Sequence, residues 1–450
     1  MSSFEPNESS ATPPDVETNS GFSRQPERET RREFAPGSAR SDAPAGSPQP
    51  LRLAIVGAGP VGLVLALQAE QRLPHASITV YDALPADHDV SADARTLALA
   101  QGSVQDLTRL GVWPAIAAHA APILAVHVSQ QQPALLDLLP LPGRAVLSDP
   151  AVLIRADQEG TPQLGAVASY GAIVAPLRAA WLAACAREPQ RLAARWGTQV
   201  SAIVPRESGV EIDAGIAEAH DLAVIAEGGV FAEQSRKSVH HDYGQTAWVG
   251  TVCIEGGEPG VAFERFTPHG PTALLPLPPL DGRQRAALVW CVQTDNDPVR
   301  ELDDAQRLAV LQHVMPPRVG KLVAISPLKS FALGLNAERS LVQGRTVRIG
   351  NAAQTLHPVA GQGLNLGLRD ARALLAALAR QPDVDRALAG VAWQRAPDRW
   401  ALIAATDFLA RSFTWPLPGL NMLRGVGLSV VQHLPLLKSQ LARRMMFGAR

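Results

Sequence analysis

Several protein classes are excluded by what the chain lacks. Its 450 residues hold three cysteines, Cys185, Cys253 and Cys291, far apart in sequence. They form no CxxC pair and share no zinc spacing with histidine, so neither a disulfide framework nor a metal site is expected. Cysteine usage this sparse suits a reducing cytoplasm. Aromatic residues make up 5%, too few for a base-stacking surface. Neither charge sign dominates. With 41 basic against 42 acidic residues the net charge is −1, which lacks the basic excess of a nucleic-acid binder. No run reaches the roughly 18 consecutive apolar residues of a membrane span, and no basic stretch followed by an apolar run suggests an ordinary secretion signal.

What is present is a chain with 46% hydrophobic residues, long enough for a large core and more than one domain. Residues 1–50 stand apart, with eight prolines, nine serines, eight acids and five arginines. Few of their side chains could build a core, so disorder is expected there. Order begins at Leu51. Leu53–Val56 reads as a buried strand, followed by an Ala/Leu-rich helix to about Arg72 and a second strand, Ile78–Tyr81. This is a β-α-β unit opening a parallel sheet. Further strands are expected at Leu222–Ala226, Ala286–Val292 and Thr346–Ile349, and helices at 96–110, 175–187 and 364–380. In the last, Leu364, Leu368, Ala371, Leu375 and Leu378 recur as one apolar stripe. The final fifty residues hold one acid, Asp407, and six basic residues. Their apolar residues repeat every three or four positions from Leu420 to Met445, and Pro435 must break or bend any helix there. This basic amphipathic region either packs on the body or meets a membrane surface or partner.

The first chemical motif is Gly57-x-Gly59-x-x-Gly62, between a strand and a helix. Gly57 permits a tight turn, Gly59 a close approach to a pyrophosphate, and Gly62 close helix–strand packing. Phosphates would meet the free N–H groups and positive dipole of the helix N-terminus. Asp82 follows Gly62 by twenty residues and can accept hydrogen bonds from an adenosine ribose. This fingerprint alone does not separate NAD from FAD.

The second motif runs from Arg348 through Asn351, His357, Pro358, Gly361, Gln362, Gly363, Leu364 and Asn365 to Asp370. It reads as strand, loop and helix. Its glycines converge free N–H groups on a helix N-terminus, which suits a partly anionic group.

This segment resembles the second flavin-binding motif of the single-component FAD-dependent aromatic hydroxylases, the group containing para-hydroxybenzoate hydroxylase. Ser91–Leu99, Gly111–Trp113, Asp242–Ala247, Glu264–Pro271 and Leu288–Cys291 are similar to the ubiquinone-biosynthesis branch. The resemblance covers the chain from about Leu51 to its end. It implies an α/β (α+β) fold, with a Rossmann-like FAD-binding domain interleaved with a β-sheet substrate domain, plus C-terminal helices. The expected division is 51–125, 163–240 and 336–385 for FAD, 126–162 and 241–335 for substrate, and 386–450 for the helices. It places Gly57, Gly59, Gly62 and Asp82 at the ADP part of FAD. Arg95 would lie near the ribose-pyrophosphate, Asn351 near the ribityl and pyrophosphate, and Pro358 through Asn365 along the flavin ring.

The implied reaction inserts one oxygen atom of O₂ into the ring of a polyprenylated phenol, through a hydroperoxide formed on the reduced flavin. NAD(P)H is the expected electron donor. Other ubiquinone-biosynthesis proteins and a membrane surface, met through the basic C-terminal region, are the expected partners. The expected location is cytoplasmic, peripheral to the inner face of the membrane.

The chain departs from the family pattern at three places. Asn351 replaces an aspartate. Glu227-Gly228-Gly229 replaces Ala-Asp-Gly, with Phe231 at a serine place and Gln234 near an arginine place. Ala175-Pro176 stands where a Gln-Arg pair begins a helix, and Pro176 suits a first turn. These changes leave another electron donor, or a weakened flavoprotein serving as a scaffold subunit, as alternatives. His357, beside Pro358, is the nearest candidate side-chain base, with a loop-shaping role as its alternative. His240-His241 reads as exposed loop, Arg265 and Phe266 as sheet or pocket wall, and Leu274–Leu280 as either a greasy substrate face or a turn.

Overall fold

The computed structural model describes residues 50–131, 150–228, 237–412 and 420–448. The expectations for the 1–50 tail, save Pro50, and for Gly229, Phe231 and Gln234 fall outside them.

The β-α-β unit forms as its pattern requires. Strand β1 (Arg52–Val56) leads into α1 (Pro60–Arg72) and β2 (Ser77–Tyr81). Pro60 occupies the first helical turn, where its missing N–H costs nothing. Strand β3 (Thr96–Ala100) and helix α2 (Gln101–Arg109) follow, replacing the single helix expected over 96–110. Alanine and leucine favour helix, but Thr96–Ala100 pairs residue for residue with a later antiparallel strand, and the ladder overrides propensity. Strands β4 (Ala125–Gln130), β5 (Ala151–Arg155) and β6 (Gly165–Ser169) precede α3 (Tyr170–Arg187). Helix α3 starts five residues before the expected 175 because the Ser169 side chain accepts from the Ala172 amide at 3.2 Å. Pro176 therefore lies inside the helix, not in its first turn.

Strands β7 (Leu192–Arg195) and β8 (Leu222–Ile225) complete the first half. Next come β9 (Val239–Glu255), β10 (Val261–Thr267), β11 (Gly270–Leu280), β12 (Arg283–Gln293), β13 (Lys329–Ala337) and β14 (Thr346–Arg348). The chain closes with α4 (Gly363–Arg380), α5 (Val384–Ser412), α6 (Leu420–His433) and α7 (Pro435–Phe447). His240 and His241 lie in β9 and Leu274–Leu280 in β11, so neither segment is the loop or turn considered from sequence. The bend expected at Pro435 is the junction between α6 and α7.

Two large sheets result. The first has six strands, with β14-β8-β1-β2-β7 parallel and a short antiparallel edge at Val342–Gln343. Helices α1, α3 and α4 pack into its core with Leu53, Ile55, Leu63, Leu65, Trp181, Leu374 and Leu375. The expected apolar stripe of α4 faces this core, with Leu364 at its margin. The second sheet has nine strands and contains β13-β9-β12-β11-β10-β4-β5. It holds the expected 286–292 strand and is antiparallel except where β10 meets β4. The two sheets are joined by segments that leave one and enter the other, and the loops at these crossings build the site.

Candidate functional site: a cleft and an apolar chamber

The glycine fingerprint folds into a turn that tolerates no side chain at two positions. Gly57 sits at φ +102°, and a Cβ there would lie 2.8 Å from the Glu227 backbone nitrogen. A Cβ on Gly62 would lie 1.9 Å from the Gly57 carbonyl oxygen. The two glycines thus let α1 press against the ends of β1 and β8. Asp82 tightens the same turn, accepting from the Ala58 amide at 2.6 Å and the Leu84 amide at 2.8 Å. A carboxylate has about four acceptor sites, so these two bonds do not exhaust it.

Helix α1 opens at Gly59 with no side-chain cap, and α4 opens at Gln362 with none either. Both N-termini border one cleft of about 170 Å³. That cleft gathers Gly59, Arg95, Gly228, Asn351, Gly363 and Leu364 from five separate stretches. Two uncapped helix starts aim partial positive charge at it. Arg95 adds a cation, paired with Asp93 at 2.6 Å and stacked 4.4 Å over the Tyr170 ring. Glu227 stands outside the lining. Partial desolvation and the neighbouring Asp82 charge hold its carboxyl above the ordinary range. This donor set fits FAD: backbone N–H groups and a guanidinium for the pyrophosphate, and a second helix start for the electron-rich edge of the ring system.

Beside the cleft lies a chamber of about 230 Å³, walled mostly by apolar side chains of the second sheet, of β3 and of the C-terminal helices. Strand β3 and the 358–365 segment separate the two spaces. Leu97 faces the cleft and Ala98 the chamber; Gly363 and Leu364 face the cleft, while Pro358, Gly361, Gln362 and Asn365 face the chamber. Asn365 ties this wall together. Its Oδ1 accepts from the Ala100 amide at 2.7 Å and Ser103 Oγ at 2.8 Å, and its Nδ2 donates to the carbonyls of Ala98 and Gly361 at 3.0 and 3.1 Å. The sequence assigned Asn365 to the flavin ring; its amide holds the partition in place.

His357 is buried at 2% exposure and does not line the chamber. Its Nδ1 accepts from the Val359 amide at 3.2 Å, so the ring proton sits on Nε2, 3.0 Å from Gln245 Oε1. Burial pulls its pKa down to about 4, keeping the ring neutral. Gln245 is itself anchored to the Ala410 carbonyl at 3.1 Å.

Two contributors to the chamber were named from sequence without this role: the C-terminal amphipathic region, which packs on the body as one of its two readings allowed, and Glu264 of the Glu264–Pro271 motif. Helices α6 and α7 close the chamber with Leu428, Val431, Leu441, Met445 and Met446. They are held by Gln432 to the Leu153 amide at 3.0 Å, Ser439 to Glu159 at 2.7 Å, and Arg369 to the Met445 carbonyl at 2.9 Å. Glu264, on β10, also lines the chamber, and burial pushes its carboxyl up to about 8. The available signal was an acid inside the otherwise apolar pattern Val261-Ala-Phe-Glu264.

A cleft bordered by two uncapped helix starts shares a wall with an apolar chamber, an arrangement that suits an FAD-dependent monooxygenase, and the similarity of the chain to known proteins puts it in that class. The fold matches that of *Klebsiella pneumoniae* HpxO complexed with FAD and uric acid, at a TM-score of 0.64 and 16% identity, covering 88% of this chain and 97% of that one. The FAD binding domain family matches residues 229–386. The *Rhodospirillum rubrum* ubiquinone hydroxylase UbiL is 36% identical over 211 residues, which span about half of each protein, 45% of this chain and 48% of UbiL. The *Escherichia coli* 3-demethoxyubiquinol 3-hydroxylase is 30% identical over 418 residues, 87% of this chain and 97% of that protein. The chain belongs to the FAD-dependent aromatic hydroxylases of ubiquinone biosynthesis.

Proposed function

We propose that this protein hydroxylates the ring of a polyprenylated phenol, using FAD and O₂. The observation that carries this is the shared wall: one short segment, 358–365, borders both the cofactor cleft and the apolar chamber. Bound FAD supplies oxygen activation and transfer; the chain supplies placement and exclusion of water. Gly57, Gly62 and Asp82 shape the turn that receives the ADP part. Gly59, Arg95, Gly228, Asn351, Gly363 and Leu364 hold the cofactor, and Pro358, Gly361 and Gln362 face the substrate ring. His357 takes the loop-shaping role, since both ring nitrogens bond within the protein. The first sheet and its helices act as the FAD-binding domain, and the second sheet as the substrate domain.

NAD(P)H is the proposed electron donor. Within the branch, the motifs favour a 2-octaprenyl-6-methoxyphenol ring as substrate. The lipid nature of that substrate supports a peripheral site on the inner membrane face. No helix among the described residues is long and apolar enough to cross a membrane. Val430, Leu434, Leu436, Leu437 and Leu441 are 42–82% exposed on α6, α7 and their junction, next to the basic residues of α7, and we assign membrane contact to this face.

Deleting the gene and extracting the lipids tests the reading. Ubiquinone should be lost and a precursor lacking one ring hydroxyl should accumulate, its structure giving the ring position. Unchanged ubiquinone in a strain without a redundant hydroxylase would refute the assignment.

A further inference from the structure

The apolar chamber contains one side chain out of keeping with the rest. Glu264 lies on β10, opposite Val128 of β4 and Ala273 of β11, and all three face the chamber. Among the described residues no other lining side chain is ionisable. Of the polar ones, Asn365 has its amide fully engaged in the partition, and Gln362 Oε1 faces Arg369 at 3.5 Å. The next residue, Arg265, bonds away to the Val314 carbonyl at 3.2 Å. The titratable group that feels the Glu264 charge is the thiol of Cys291 on β12, which burial keeps protonated.

A carboxylate placed among valines, leucines and methionines is costly unless something enters to bond it. Aliphatic prenyl groups offer no donor. A phenolic O–H does, and the Pro358–Gln362 edge of the chamber is where the ring must sit to meet the cofactor. We propose that Glu264 binds the phenolic hydroxyl of the substrate and is the base that ionises it. This rests on the reading of the substrate as a phenol.

The phenol O–H bond breaks, an O–H bond forms on the Glu264 carboxylate, and the electron pair stays on oxygen and spreads into the ring. The ring carbons ortho and para to that oxygen become electron-rich, as attack on an electrophilic oxygen requires. The proton held by Glu264 leaves with the water that the monooxygenase reaction releases. Burial raises the carboxyl toward about 8, between an ordinary carboxylate and a phenol near 10, which narrows the gap the proton must cross.

The test uses the FAD-loaded full chain, wild type and Glu264→Gln, with a short-chain prenylphenol as probe and its O-methyl ether as the non-ionisable control. Melting temperature and FAD content establish that the variant is folded. Without turnover, the wild type should bind the phenol more tightly than its ether by a margin that grows with pH as the Glu264 carboxylate forms, because a carboxylate near 8 accepts a hydrogen bond from a phenol near 10 without ionising it in the ground state. E264Q should show no pH-dependent margin, and both proteins should bind the ether equally near neutrality. In turnover, the wild-type rate should rise with pH to a plateau. E264Q should run about 100-fold slower near neutrality and keep rising toward the phenol's own ionisation range. Identical phenol-over-ether preferences and pH profiles in the two proteins would overturn the Glu264 role while leaving the substrate reading intact. If neither protein binds the prenylphenol, both fail together.

Discussion

At the scale of single residues, this site separates groups that face a ligand from groups that shape the wall behind it. His357 and Asn365 sit in the same flavin-loop motif, yet both direct their polar atoms into the protein. A measurable consequence follows for His357. Its folded pKa of about 4 lies below the ordinary histidine value, so the unfolded chain takes up its proton first on acidification. The contribution is fully present above about pH 6.5 and is lost as pH falls toward 4, up to roughly 3 kcal/mol. Urea unfolding at pH 7 and pH 4.5 should show His357→Gln losing less stability on acidification than the wild type; equal losses would show that another group sets the acid sensitivity. The glycines of the fingerprint were legible because their reasons are local: a turn at positive φ and a helix against a strand end. Glu264 gave only the signal of an acid in an apolar strand pattern, which acquires a meaning once its surroundings are known.

At the scale of elements, the departures from expectation have two causes, a long-range strand ladder and a local helix cap. Thr96–Ala100 has helix-favouring composition and becomes a strand because β6 offers it a ladder. Helix α3 begins at Tyr170 because Ser169 caps it, and this carries Pro176 into the helix interior. Helices α4 and α5 are joined by a buried ion pair, Asp370 to Arg395 at 2.8 Å. Asp370 also accepts from Gln354 at 3.3 Å, and Arg395 reaches Asp398 at 2.8 Å. Desolvation holds the Asp370 carboxyl above its ordinary range even against the pull of Arg395, which marks how far the pair is removed from water. Replacing one member leaves the other buried and uncompensated. Asp370→Asn should cost about 3 kcal/mol in denaturant unfolding, toward the lower end of such effects because Asp398 still faces Arg395. A cost under 1 kcal/mol would mean the guanidinium finds water after the change.

At the scale of the whole molecule, the C-terminal helices do more than cover the surface. They form one wall of the chamber, whereas none of their residues lines the neighbouring cleft proposed for FAD. Ending the chain at Leu417 removes both α6 and α7. The shortened protein should keep FAD, seen in its visible absorbance, but form about tenfold less hydroxylated product per O₂ consumed, because water reaches the open chamber. Unchanged coupling would show that the rest of the chamber excludes water without them. Membrane co-sedimentation of the same truncation checks the exposed apolar face, and undiminished binding would remove that face from the assignment.

The sequence by itself determined the features whose causes are local or periodic. These are the β-α-β unit and its glycine turn, the apolar stripe of α4, the break at Pro435, and the motifs that mark the family. The tertiary structure alone decided which residues share a space. Leu97 borders the cleft while Ala98, Leu99 and Ala100 border the chamber, a division set by what packs on either side of β3. Residues 264 and 358, 94 positions apart, line one chamber, and residues between 428 and 446 return to roof a chamber begun at residue 98. Each of these juxtapositions depends on how the second sheet, β3, the 358–365 segment and the C-terminal helices pack together, a long-range outcome that no short stretch of sequence encodes.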